Sequence, residues 1–166
     1  YEGFEQAKID ATKVKGLFDM YKIPYILKLS GSGFHIEIKS DDLPLHMRKI
    51  EIIKLFCTDL KILFDLKSVD TGVDKEGYPD GSFYEPRRIW KMAYSLDYKT
   101  GNVALPLNDD QFYLVTLEQL KEGVYKPNNV LKNIKLYNRG LLKRKGRSEN
   151  LIRFCEEVIG DSYGTK

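Results

Sequence analysis

An α/β or α+β fold, with a small mixed sheet and flanking helices, is predicted by three observations. The first third of the 166-residue chain alternates an amphipathic helical pattern with short β-rich runs. Two of those runs are joined by Ser30-Gly31-Ser32-Gly33, a stretch of turn chemistry. Further on, Lys99-Thr-Gly-Asn102 turns tightly into the apolar run Val103–Leu107. No internal repeat interrupts this order.

Phe4, Ala7, Ala11, Val14, Phe18 and Tyr21 recur at three- and four-residue spacing, which predicts a helix over about 3–21. Pro24 ends it and introduces a strand at about 25–30. A second strand at about 34–39 follows the glycine turn. Ile50, Ile53, Cys57, Leu60 and Phe64 predict a helix over about 46–64. Lys67-Ser-Val-Asp70 reads as a short strand, Lys75–Gly81 as a surface loop, and Arg87–Met92 as a short basic turn or helix. Thr116 caps a short helix to Glu122, residues 126–147 read as irregular and basic, and Ser148 caps a last helix stopped by Gly160. The expected organisation is a core over 1–125, followed by the basic segment and C-terminal helix at 126–166.

Composition limits the function classes. A hydrophobic share of 42% and a charged share of 31% are ordinary for a globular protein long enough to hold a core. Between residues 132 and 147 there are seven cations and no acid. Taking those seven from the net charge of +3 leaves the remainder at −4. Cys57 and Cys155 are the only cysteines, at apolar positions of helix-like segments, and only two histidines are present. That argues against structural zinc and against a disulfide scaffold, and it predicts an intracellular protein, cytoplasmic or nucleoid-associated. No run is apolar and long enough to span a bilayer, and no secretory leader is evident, so no membrane partner is expected.

Three features point to phosphate and metal chemistry. Glycines beside hydroxyls in Ser30–Gly33 let backbone amides turn toward an anion, with His35 at the start of the next strand. The same residues would also serve as a plain hairpin turn. Asp70 closes a short strand, an address that suits a metal-binding carboxylate and equally a turn or cap aspartate. Arg88 and Lys91, three apart, would share one side of a turn and suit a polyphosphate or a solvated surface. A Ser-His-Asp hydrolase is discounted, because Ser30-Gly-Ser-Gly joins two strands rather than forming a strand-to-helix elbow. In the basic segment, Lys143, Arg144, Lys145 and Arg147 follow Tyr137, a pattern that fits a nucleic-acid backbone or a charged linker.

In chain order, Ser30-Gly-x-Gly-Phe-His35, Val69-Asp70 and Arg87-Arg-Ile-Trp-Lys-Met-Ala-Tyr-Ser-Leu-Asp-Tyr-Lys-Thr-Gly-Asn-Val-Ala-Leu-Pro-Leu107 form a pattern that resembles the archaeo-eukaryotic primase superfamily, over about residues 4–107. The resemblance implies a primase-polymerase catalytic core: a DNA-dependent nucleotidyltransferase that extends or starts a primer with NTPs or dNTPs by two-metal catalysis. It implies that Ser30, Ser32, Gly33 and His35 bind the nucleotide triphosphate together with Arg88 and Lys91. It implies that Asp70 is a catalytic ligand of Mg2+ or Mn2+, with His35 as its catalytic companion. Expected partners are nucleoside triphosphates, a DNA template and primer, and another primase subunit or a replication or repair protein. The span from His35 to Asp70 is short and carries no zinc-ligand cluster, which resembles the compact members. Two departures stand out. Asp97 occupies a position where members often carry histidine, and no Asp-x-Asp precedes His35, where the superfamily places its first metal motif. Since Tyr1 is not a methionine, a missing N-terminal segment is the expected source of that motif. The other reading is a non-catalytic nucleotide- or nucleic-acid-binding module on the same fold.

Overall fold

The computed structural model describes residues 3–38, 49–67, 91–137, 149–154 and 157. The elements run in chain order α1 (Phe4–Met20), β1 (Ile26–Leu29), β2 (Phe34–Glu37), α2 (Lys49–Leu63), β3 (Leu105–Leu107), α3 (Asp109–Leu114), α4 (Leu117–Lys121), α5 (Pro127–Lys132), α6 (Ile134–Tyr137) and α7 (Glu149–Phe154). Helices and strands thus mix as expected. The strand order is β2-β1-β3, and both described pairings are antiparallel, so the sheet is of the α+β kind rather than mixed in direction. The predicted strand closing at Asp70, apart from its first residue Lys67, the loop at 75–81, residues 87–90 and 138–148 lie outside the described residues. Among the described residues, no helix is long and apolar enough to cross a membrane.

Two compact units interleave along the chain. One comprises Tyr1–Ala11, Tyr25–Glu37 and Trp90–Arg144, the other Thr12–Pro24, Ile38–Ile89 and Lys145–Lys166. In the second unit, Val14, Leu17 and Phe18 of α1 are buried, as are Ile23, Phe56, Leu60, Leu66, Leu151 and Phe154. Phe56 joins this core, its ring 6.2 Å from Phe18 and 6.0 Å from Phe154. α1 ends in a Schellman cap: Lys22 turns left-handed at φ 53°, the Ile23 N–H donates to the Phe18 carbonyl at 2.8 Å, and the Lys22 N–H donates to Asp19 at 3.1 Å. α2 ends the same way through Asp65 at φ 46°, with the Leu66 N–H donating to Lys61 at 3.1 Å.

The first unit is built on the sheet. Register places Leu27 opposite Ile36 and Leu107, and Leu29 opposite Phe34 and Leu105. Because side chains alternate across a strand, these residues share one face. Phe4 of α1 and Phe112 of α3 pack on it, their rings 5.4 and 5.0 Å from Phe34. Lys28, His35 and Pro106 stand abreast on the opposite face, with Ile26 and Glu37 one pleat along. Pro106 is tolerated because β3 is an edge strand of the described sheet.

Two stretches differ from the sequence-based expectation. α3 is an additional helix, started by a capping box in which the Asn108 side chain accepts from the Gln111 N–H and the Gln111 side chain accepts from the Asn108 N–H. Within 126–147, expected to be irregular, α5 and α6 form. Pro127 opens α5 at its first turn, where a missing N–H costs nothing, and Val130 anchors it by burial.

Candidate functional site

The turn between β1 and β2 is not a simple hairpin. Two residues, Gly31 and Ser32, separate the closing pair Ser30 and Gly33, and the Ser30 N–H donates to the Gly33 carbonyl at 2.8 Å. A two-residue turn ordinarily adds the reciprocal bond from the Gly33 N–H to the Ser30 carbonyl. Here the Ser30 carbonyl accepts from the Lys91 ammonium instead, at 2.9 Å. The next carbonyl, of Gly31, accepts from the Asn102 amide at 3.0 Å, with the Thr100 hydroxyl oxygen 3.4 Å away. In a planar trans peptide the C=O and the following N–H point in opposite directions. Holding the Gly31 carbonyl inward therefore turns the Ser32 N–H away from Asn102 and Thr100. Among the described residues, neither the Ser32 nor the Gly33 N–H donates to a protein acceptor. Ser32, Gly33 and His35 are partly exposed, whereas Gly31 is buried. Two amide donors and a hydroxyl thus sit on one partly open turn, a donor set that suits an anion, with His35 two residues further on in β2.

The donors that hold the turn come from a second hairpin. Residues 94–97 pair with 102–104: the Tyr94 N–H donates to Ala104 at 2.7 Å, the Ala104 N–H to Ser95 at 2.8 Å, and the Asp97 N–H to Asn102 at 2.8 Å. Tyr94 adopts φ 67° at the start of this hairpin. At its tip the Asp97 carboxylate, with a side chain only 2% exposed, forms an ion pair with Lys91 through one oxygen. Its other oxygen accepts from the Thr100 hydroxyl at 2.6 Å and the Thr100 N–H at 3.0 Å. Burial pushes the Asp97 pKa up, but hydrogen bonds from Lys91 and Thr100, with the Lys91 charge, outweigh it and hold the group below the usual carboxylate range. The Lys126 ammonium secures the tip by donating to the Thr100 carbonyl.

On the polar face of the sheet, Lys28 is buried and donates both to Glu37 and to the Lys91 carbonyl. Two lysines therefore exchange partners: Lys28 holds the main chain at 91, and Lys91 holds the main chain at 30. Glu37 also places a carboxylate oxygen 4.0 Å from His35 Nδ1, on the same side of β2.

Of the residues singled out in the sequence, Ser30, Ser32, Gly33, His35 and Lys91 come together here, with Ser30 contributing its backbone to the turn. The Lys91 ammonium, expected on phosphate, is engaged by Ser30 and Asp97. Asp70, Arg88, Lys143, Arg144, Lys145 and Arg147 lie outside the described residues. Sequence reasoning missed Lys28, Glu37, Thr100 and Asn102. A two-residue turn puts Lys28 opposite His35 and diagonal to Glu37, so that ion pair had a readable signal. Thr100 had a local signal, since Asp97 three residues before it can accept from its N–H and hydroxyl, whereas Asn102 had none, because its acceptor at Gly31 lies far along the chain. Comparisons with protein-family models, with curated proteins and with solved structures find no match to this chain.

Proposed function

We propose that the polar face of this sheet is the triphosphate-holding half of a nucleotidyltransferase site of the primase-polymerase kind. The observation that carries the reading is the pinned Ser30–Gly33 turn, whose Ser32 and Gly33 amides are left over for an anion beside the Ser32 hydroxyl and His35. Amides and cations suit the phosphate end of a metal–nucleotide complex rather than its metal. Mg2+ or Mn2+ would be held by Asp70, with Arg88 adding charge on the phosphates, and would supply Lewis-acid stabilisation of the transferring phosphoryl group. The basic residues Lys143, Arg144, Lys145 and Arg147 would follow a DNA template or primer.

A second reading, nucleotide binding without catalysis, is favoured by Asp97, whose carboxylate takes the Lys91 ammonium. Two measurements decide between them. Titration with ATP should show binding that weakens about 10- to 100-fold in His35→Ala, the worth of a hydrogen bond to a charged group. Equal affinity in variant and parent overturns the triphosphate site. Primer extension by the natural protein with Mg2+ or Mn2+ should be abolished in Asp70→Ala. Extension that survives that change refutes the metal assignment, and ATP binding without any extension supports the second reading.

A further inference from the structure

We infer that Lys91, held by Asp97, is a strut that keeps the β1–β2 turn open by drawing the Ser30 carbonyl toward its ammonium and away from the Gly33 N–H, which leaves that N–H for a bound anion. The Gly33 N–H has two possible partners. It can close the hairpin on Ser30, as two-residue turns ordinarily do, or it can face a ligand. Lys91 draws the Ser30 carbonyl toward its ammonium at 2.9 Å, and the Gly33 N–H does not close on it. The strut is braced at both ends. Lys28, buried on the sheet, holds the Lys91 main chain, and Asp97 accepts a second hydrogen bond from the Lys91 ammonium. Thr100 fixes the Asp97 carboxylate at 2.6 Å while its hydroxyl also faces the Gly31 carbonyl. Asp97 is therefore a positioning residue, acting on the turn through Lys91, and Lys91 contributes geometry where a direct phosphate contact was expected.

The role of the freed amide rests on the triphosphate reading, but the strut can be tested without ligand. Hydrogen exchange at the Gly33 amide, followed by NMR in the unliganded chain, should be fast in the parent. In Lys91→Met the Ser30 carbonyl is released, the hairpin closes, and exchange at Gly33 should slow about tenfold, the equivalent of one net hydrogen bond. Asp97→Asn, which preserves shape, should slow it by a smaller factor, and should add nothing when combined with Lys91→Met. If Lys91→Met does not fold by circular dichroism, Asp97→Asn alone decides. Unchanged or faster Gly33 exchange in the folded variants overturns the strut. Tripolyphosphate affinity, measured alongside, should fall in both variants. Loss of affinity with unchanged exchange makes Lys91 a direct phosphate ligand and overturns the inference while leaving the site. The expected exchange pattern in a chain that binds no tripolyphosphate keeps the strut and removes the proposed function.

Discussion

Gly31 and Gly33 look alike in the sequence, two glycines in one Ser/Gly run, yet the structure gives them opposite tolerances. Gly31 sits at φ 101°, and a Cβ there would lie 2.4 Å from the Asp97 Cβ. Gly33 has a φ outside the left-handed region, and a Cβ there would meet nothing nearer than the Ser30 hydroxyl at 3.7 Å. Gly31→Ala combines a left-handed penalty of about 1–2 kcal/mol with overpacking of similar size. Urea denaturation should therefore show a loss above about 2 kcal/mol for Gly31→Ala, and a change within about 0.5 kcal/mol for Gly33→Ala. Equal losses at the two positions would remove the close approach of Asp97 as the reason for Gly31. The motif was legible, but the division of labour inside it was not, because it depends on a carboxylate brought in by another hairpin.

Helix ends show a similar split. Asn108-Asp-Asp-Gln111 and Thr116-Leu-Glu-Gln119 are the same four-residue device, and both form reciprocal capping boxes. Replacing either cap should cost about 1 kcal/mol. Asn108→Ala, read by denaturant midpoint, should show that loss, since α3 also carries the buried Phe112 against Phe34. A midpoint unchanged by Asn108→Ala would mean that Phe112 packing alone holds α3. At the other ends, α4 stops at Gly123 with φ 77°, a signal visible in the sequence. α1 and α2 stop at Lys22 and Asp65, residues that carry a steric cost in the same conformation. In both cases the next residue, Ile23 or Leu66, is almost fully buried. Burial of that side chain offsets the strained turn, which no local propensity reveals.

Over the molecule as a whole, charge is divided rather than balanced: seven cations crowd residues 132–147 while the remainder is net acidic. If that segment follows DNA, log affinity should fall linearly with log salt. Neutralising Lys143, Arg144 and Lys145 together should then flatten the slope by about 3, near 0.9 for each phosphate left without its cation. A slope untouched by the triple change would assign those residues to solvent. Periodicity and turn chemistry act over a few residues, so the sequence already contained the mixed helix-and-strand class, α1, α2, the β1–β2 hairpin and the Thr116 cap. It also contained the closeness of Ser32, Gly33 and His35 at the turn and the start of β2, since residues within four positions need no tertiary contact to be neighbours. What folding alone settled is which acceptors and donors that turn has left. The bond from Lys91 to Ser30, the reach of Asn102 to Gly31 and the hold of buried Lys28 on the main chain at 91 join positions far apart in the chain. Such pairings follow from how hairpin 94–104 packs on the sheet, and packing is a property of all the elements of that unit at once.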